Sequence, residues 1–564
     1  MKYFVSRGIY TFNSGTEHAQ AQRTRLFNQQ NDPARYVTMD YNRFWLRDAQ
    51  RVELAGDQVL NMYDYFQGTT QTPTVAVPVR EFKQLPFDKY QLVDHGPDYY
   101  TVDHAGRQLA RINILPGTVG LVGDVEYYDR FDNLVSRDNY DWRGFKSSID
   151  YFHPDGSLGV RRFLNLAGEV VLENVYMNVA DQLQPTMWKL IGYHGQDYRF
   201  DSQEDLFLFF LNEIAEQDDK AVMVADHRDV DLMVMQVEKA QSRWLAFHGA
   251  HADHHGNVYA AYTPAFQAEP GEIDGIIVPT VQQQTAIQGQ FPETPVYVAA
   301  DTVVDAKILA NTVSKKKRTP DHVIFSGRLE SDRRPDEALA AFLRLFDQLP
   351  DATLEYRGYT NDHQLLGRLK QMAQHMGIAE HVIFGDYLPD TAMDNFYNQA
   401  QVLINTAYDE AGGLSVIEAM AHGVPVVAYY TDYGIENLVE NNVNGFVVTN
   451  GDQAQMARRV KQILQDPDLW QKLSRGAQQT AQAYQARTVY QQWKNILGWV
   501  NKNSAGQQLN NWWTLTKNDH YAWIWRNGHF GIKRNKLTFD AVEGNAPKIF
   551  NFTQLLFVLN EKII

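Results

Sequence analysis

Two stretches of this chain alternate short apolar runs with helix-length segments, and that rhythm limits its fold class more than any other feature. In the first stretch, Ala221 to Ala225 reads Ala-Val-Met-Val-Ala and ends at Asp226. Trp244 to Phe247 follows, then the run beginning at Asp274 that leads into a helix at Gln282, then Val296 to Ala299. In the second stretch the strands are His322 to Ser326, Ala352 to Arg357, His381 to Phe384, Val402 to Asn405, Val424 to Tyr429 and Gly445 to Val448. Apolar strands joined by crossover helices make parallel sheets, so each stretch predicts an α/β domain.

The N-terminus belongs to the first of these domains. Lys2 to Val5 reads as a strand, Asn13-Ser14-Gly15-Thr16 as a turn with helix-capping chemistry, and Glu17 onward as a helix. Between about 69 and 185 the texture changes to short alternating runs separated by turn signals such as His153-Pro-Asp-Gly and Leu166-Ala-Gly. These predict an antiparallel β-meander inserted into the first domain. The rhythm returns near 186, with a helix expected over Gln203 to Gln217. The resulting layout is a first Rossmann-like domain from 1–68 and 186–300, a meander from 69–185, and a second Rossmann-like domain from 301–480. A long helical pattern over 476 to 502, with 481–502 as a closing helix, and a small Trp-rich, β-like tail from 503–564 complete it. Ala300 to Pro320, with the basic run Lys315 to Arg318, reads as a solvated interdomain linker.

At 564 residues the chain exceeds what one core supports. A net charge of −16 argues against a nucleic-acid partner, because phosphate binding needs a basic surface. With no cysteine, disulfide and thiolate chemistry are excluded and a reducing cytoplasm suits the chain. No apolar stretch reaches membrane-spanning length, and the opening Met-Lys-Tyr-Phe-Val-Ser-Arg reads as a first strand and not a signal peptide.

The strongest chemical signal is the run from Tyr408 to Ala428, which holds Glu410-Ala-Gly-Gly-Leu-Ser-Val-Ile-Glu418. It follows a strand and sets Gly412 and Gly413 directly before a helix. Free amides at that helix start, backed by the dipole, form an anion site suited to a diphosphate. Glu410 precedes the helix and Glu418 lies about a turn inside it, so both can border one ligand and accept hydrogen bonds from its hydroxyls. Taken singly, either glutamate reads as an ordinary capping or surface residue. A second element, Gly327-Arg328-Leu followed by Arg333-Arg334, is a strand end with a basic turn. The histidines of Phe247-His248-Gly-Ala-His251-Ala-Asp-His254-His255 have spacings open to a sugar-site, a loop or a zinc reading.

The Glu410 to Glu418 string resembles the E-x7-E signature of retaining GT-B glycosyltransferases. These have two Rossmann-like domains facing a cleft. The resemblance implies that Glu410 faces the donor sugar and Glu418 the ribose, with Gly412, Gly413, Leu414 and Ser415 holding sugar and phosphate. Arg328 matches the family's Gly-Arg-Leu cation; the expected lysine falls at Arg333, or at Arg334 if the loop is one residue longer, and arginine keeps the phosphate-binding charge. Phe384 and Tyr387 match the base pocket, Gly15 the turn opposite the diphosphate, and His248, with His251 as the alternative, the histidine beside the sugar. The family's Glu-Gly-Phe-Gly-Leu becomes Glu410-Ala-Gly-Gly-Leu here, which alters the sugar contacts.

The layout further resembles bacterial O-glycosyltransferases of serine-rich adhesins and glycosyltransferases of wall teichoic acid. It implies UDP-glucose or UDP-N-acetylglucosamine as co-substrate, no metal or other cofactor, and a surface-protein or wall-polymer acceptor. It also implies a homo-oligomer assembled through the β insertion, working in the cytoplasm with peripheral contact at the inner face of the membrane. The acidic composition favours the protein acceptor over a polyanion. Two rival readings are a glycan-binding module without turnover and a metal-dependent hydrolase built on the histidines.

Overall fold

A computed structural model describes residues 1–498 except 83, 84, 86–88, 312 and 389, together with 537–539 and 548–550. Residues Met1–Leu497 form one compact unit and Gly498–Ile564 a second. In the second unit Leu537–Phe539 pairs antiparallel with Lys548–Phe550. The rest of the Trp-rich tail reading lies outside the described residues.

The first unit carries three sheets. Seven parallel strands run in the order Val296–Val298, Gly275–Val278, Ser242–Ala246, Val222–Ala225, Lys2–Ser6, Ala34–Thr38, Val59–Asn61. Six parallel strands run Val382–Gly385, Thr353–Arg357, His322–Ser326, Val402–Asn405, Val426–Tyr429, Gly445–Val448. In each sheet the chain winds outward one way and then the other. The split falls between Lys2–Ser6 and Val222–Ala225 in the first, and between His322–Ser326 and Val402–Asn405 in the second. Helices leave opposite faces on the two sides of such a split, so a crevice opens beyond the carboxyl ends of those strands.

The third sheet is a ten-stranded antiparallel meander in sequential order from Gln91–Asp94 to Gln196–Phe200. It runs past residue 185. Gln182–Tyr193 and Gln196–Phe200 pair with it as a hairpin, where the sequence reading placed the returning βα rhythm. The meander shares a core with the first parallel sheet: Phe163, Leu172, Trp188 and Leu190 pack with Tyr63, Phe66, Leu206, Phe207 and Phe210. Buried Arg143 ties the two together, donating to both carboxylate oxygens of Asp64 at 2.7 and 2.8 Å, to Asp141 at 2.6 Å and to the Thr69 carbonyl at 2.9 Å.

Three regions depart from the sequence reading. The pattern over 476 to 502 is not one helix: Pro467–Ala481 and Ala486–Leu497 are separated by a tight turn at Gln482–Tyr484. That break lets the last helix return to the first domain, where fully buried Trp493 sits 4.1 Å from the Arg23 guanidinium and donates to the Ala300 carbonyl. The expected linker is packed as well. Ala300, Val303 and Val304 donate their amides to Gln492, Gln22 and the Tyr484 carbonyl. The basic run is not uniformly solvated either: Arg318 is 3% exposed and donates to the carbonyls of Tyr397, Ala400 and His422, which end two helices. Lys315 donates to Ile463 and Leu464 at the end of a third. Cations at helix C-termini satisfy carbonyls that have no intrahelical donor.

Removing the Arg318 head leaves three buried carbonyls without it. At about 1 kcal/mol per lost hydrogen bond, Arg318→Met is expected to destabilise the second domain by about 2–4 kcal/mol. Lys315→Met should cost less than about 1 kcal/mol; calorimetric melting of the two variants checks the order.

Candidate active site

The crevices of the two parallel sheets face each other, and the predicted site residues gather between them. Past Asn405 the chain enters the loop that carries Glu410, then the helix Leu414–Ala421. Gly413 caps that helix with φ 62°, the left-handed region that favours glycine, and a Cβ there would come within 2.1 Å of Leu438. Glu410 is buried and held at both oxygens, accepting from the Gly413 amide at 3.1 Å and from Arg333 Nη1 at 2.6 Å. The Glu410 carboxylate holds the Arg333 guanidinium above its ordinary range, outweighing the opposing effect of burial.

The two arginines after Arg328 divide their work. Arg334 adopts φ 47°, donates to the Thr406 carbonyl at 3.0 Å and to Asn450 at 2.7 Å, and stacks near Tyr429. It braces the loop from behind, while Arg333 engages Glu410. Arg328 is paired with Asp332 at 3.0 Å.

Opposite this loop, Ser14 caps the helix Gly15–Gln29 in a reciprocal box with Glu17, so a second helix start points at the same space. Three adjoining cavities meet there, all touching Ser14 and Arg328. A 740 Å³ cavity holds Glu410, Gly412, Gly413, Arg333, Arg334 and His248. A 430 Å³ cavity holds Glu418, Tyr387 and Leu388. Gly15, Leu414 and Ser415 border both. A 970 Å³ cavity opens between the first domain and the meander, walled by Tyr41, Phe163 and Trp188.

Of the base-pocket residues, Tyr387 reaches its cavity and bonds His18 at 2.7 Å. Phe384 lies elsewhere, stacked on Tyr356 at 5.0 Å against the second domain's core. Glu418 accepts from Tyr397 Oη at 2.9 Å.

The histidines diverge. His248 lines the large cavity, buried between Asp226 at 2.8 Å and Asp301 at 3.0 Å. Burial alone would lower its pKa, but Asp301 and Asp226 outweigh that and raise it to about 9, so the ring is a cation at neutral pH. His251 packs 4.9 Å from Tyr433, where burial without a charged partner lowers its pKa to about 4. His254 bonds Tyr408. Among the described residues no group of three or more His, Cys, Asp or Glu side chains is placed to hold a metal.

Sequence reasoning missed Asp226 and Asp301 as site residues. Asp226 carried a signal, being the polar residue that ends a buried strand. Asp301 carried none, because its stretch reads locally as a linker.

Residues 309–480 match the family model described as glycosyl transferases group 1. The chain is 21% identical over 523 residues to the Streptococcus gordonii UDP-N-acetylglucosamine–peptide N-acetylglucosaminyltransferase GtfA subunit, covering 89% of this chain and 99% of that one. It is 24% identical over 384 residues to the Bacillus subtilis poly(glycerol-phosphate) α-glucosyltransferase, covering 65% of this chain and 55% of that one. Its fold is similar to the pneumococcal O-GlcNAc transferase GtfA crystallised with UDP and GlcNAc, with a TM-score of 0.77 at 18% identity over 89% of this chain and 99% of that one. A TarM variant from S. aureus gives 0.72 at 16% identity, covering 88% and 99%. The split sheets and the inserted meander give this chain the GT-B fold, and its second domain, over residues 309–480, is similar to group 1 glycosyl transferases.

Proposed function

We propose that this protein moves glucose or N-acetylglucosamine from a UDP-sugar to a hydroxyl of a bacterial surface acceptor, with retention of configuration. The observation that carries this reading is the Glu410–Arg333 pair, held at a helix start and facing a second helix start across one cavity. Arg328, Arg333 and the loop amides receive the diphosphate, and Glu410 and His248 border the sugar. Glu418 and Tyr387 border the nucleoside in the adjoining cavity. The acceptor oxygen bonds to the anomeric carbon on the face that the diphosphate leaves. The bond from that carbon to the phosphate oxygen breaks, and the acceptor's proton passes to that oxygen. Fixed cations and amides aimed at the developing phosphate charge stabilise this step without reorganisation, and they replace a metal.

The acceptor that fits best is a serine-rich glycoprotein. The 970 Å³ cavity beside Arg328 is walled by aromatic rings, and its Asp40 and Asp48 are matched by Arg7 and Arg47. Its Arg161 is committed to Asp150 through two hydrogen bonds at 2.6 and 2.9 Å. That wall offers no surplus of cations to a polyphosphate, and a neutral hydroxyl-bearing chain suits it. The streptococcal relative matched over 99% of its length is named for a peptide acceptor. The second reading, a wall teichoic acid glycosyltransferase, rests on the poly(glycerol-phosphate) relative, which is matched over 55% of its length. The meander serves as the assembly surface of a homo-oligomer, and the enzyme works in the cytoplasm with peripheral membrane contact. No helix among the described residues is long and apolar enough to cross a membrane.

Glu410→Ala and Arg328→Ala are each expected to lower kcat/KM by about a hundredfold or more, read as acceptor-dependent UDP release from UDP-glucose or UDP-N-acetylglucosamine. Unchanged turnover in both variants would remove the site assignment. A serine-rich peptide and a polyol phosphate tested side by side, with product masses as readout, decide the acceptor. Transfer is expected to persist in excess chelator; loss that one divalent ion restores would overturn the metal-free step.

The pH dependence follows from His248. Its folded pKa of about 9 lies above the ordinary value of 6.5, so protonation favours the folded state. That stability is fully present below the ordinary value and is lost as pH rises through about 9. The melting temperature of the wild type is therefore expected to fall across this alkaline window, and His248→Gln should flatten the fall.

A further inference from the structure

The glycine pair in the site loop separates into two physical cases. Gly413 needs its left-handed backbone, whereas Gly412 has no such conformation, and what its position demands is space. A Cβ at 412 would lie 3.0 Å from Asp301 Oδ2 and 3.6 Å from the His248 carbonyl. Across the boundary between the two parallel-sheet domains, then, the absence of a side chain at 412 keeps the Asp301 carboxylate open to the 740 Å³ cavity.

Asp301 is built to hold its position. It is 8% exposed, and the backbone around it is tied down by the hydrogen bonds of Ala300, Val303 and Val304. Its Oδ2 pairs with His248, whose other nitrogen meets Asp226, which in turn pairs with buried Arg23. This chain of two cations and two anions is balanced. A carboxylate has about four acceptor positions, and one partner leaves most of them available.

We infer that Asp301 binds the donor sugar, accepting a hydrogen bond from a ring hydroxyl and selecting an uncharged hexose over a uronic acid. The inference rests on the UDP-sugar reading of the site. Arg328 and the Arg333–Glu410 pair lie on the second domain's side of the cavity, and Asp301 faces Gly412 across it. A hydroxyl beside Gly412 donates to Asp301, whereas a sugar carboxylate in that place meets the Asp301 carboxylate with like charge and loses its hydration.

The test separates sugar from nucleotide. Calorimetry on the full chain measures UDP, UDP-glucose, UDP-N-acetylglucosamine and UDP-glucuronate against wild type, Asp301→Asn, Asp301→Ala and Gly412→Val, with thermal melting as the folding check. Asp301→Ala is expected to weaken the favoured UDP-hexose by about tenfold while UDP changes by less than about twofold. Gly412→Val, which keeps every charged side chain but crowds Asp301, should show the same split. Asp301→Asn should narrow the gap between UDP-hexose and UDP-glucuronate by about tenfold. Equal losses for UDP and UDP-hexose would make Asp301 a structural residue and overturn the inference, as would unchanged binding in folded variants. If the wild type binds no UDP-sugar, this inference and the donor assignment fall together. If it binds one and the variants keep its ratio to UDP, only this inference falls.

Discussion

The chemistry of this protein depends on two sheet split points being held face to face. A single split point presents one helix start and a few polar strand ends, as any open parallel sheet does. Opposed, the two supply helix starts at Gly15 and Leu414 and cations at Arg328 and Arg333 to one volume. The opposition is maintained by a packed segment and not by a tether. Residues Ala300, Val303 and Val304 are bonded to helices on both sides, and Trp493 returns on the last helix of this unit, Ala486–Leu497, to seal against Arg23.

Burying Arg23, Asp226, His248 and Asp301 together is costly unless charges alternate and each is paired. They do alternate, provided that His248 carries its proton. This makes the histidine a structural cation as well as part of the wall of the 740 Å³ cavity. It also explains why His248 and His251, close in sequence, behave oppositely. The first sits between two carboxylates and is raised, the second among rings with no counter-charge and is lowered. Spacing alone cannot distinguish them, because the difference lies in Asp226 and Asp301, which arrive from other parts of the chain.

Much of the second domain was legible residue by residue. His322–Ser326, Val402–Asn405 and Gly445–Val448 occur where their apolar runs are, because strands buried on both faces leave an unbroken signal. The loop from Glu410 to Glu418 was legible for a related reason: its glycines, carboxylates and helix start are contiguous. What escaped was set by tertiary contact. Gln182–Tyr193 mixes polar and apolar residues because its outer half is exposed, so it did not announce the sheet it completes. Lys315 and Arg318 look solvated until the helix ends they cap are in place. Phe384 resembles a pocket residue by position in the chain, yet the neighbouring Tyr356 ring draws it into the core.

The departure at Ala411-Gly412 has a physical consequence beyond the loop itself. A bulky residue at 412 would press on Asp301, in the packed segment between the domains, and on the His248 carbonyl of the first domain. The two domains would then have to separate, or the carboxylate to turn away from His248 and leave a buried cation without half of its counter-charge. Neither is cheap in a packed, low-dielectric site. The composition of the loop in one domain and the charge chain in the other are therefore one constraint. A change at 412 reaches the stability of the domain interface as well as the shape of the cavity.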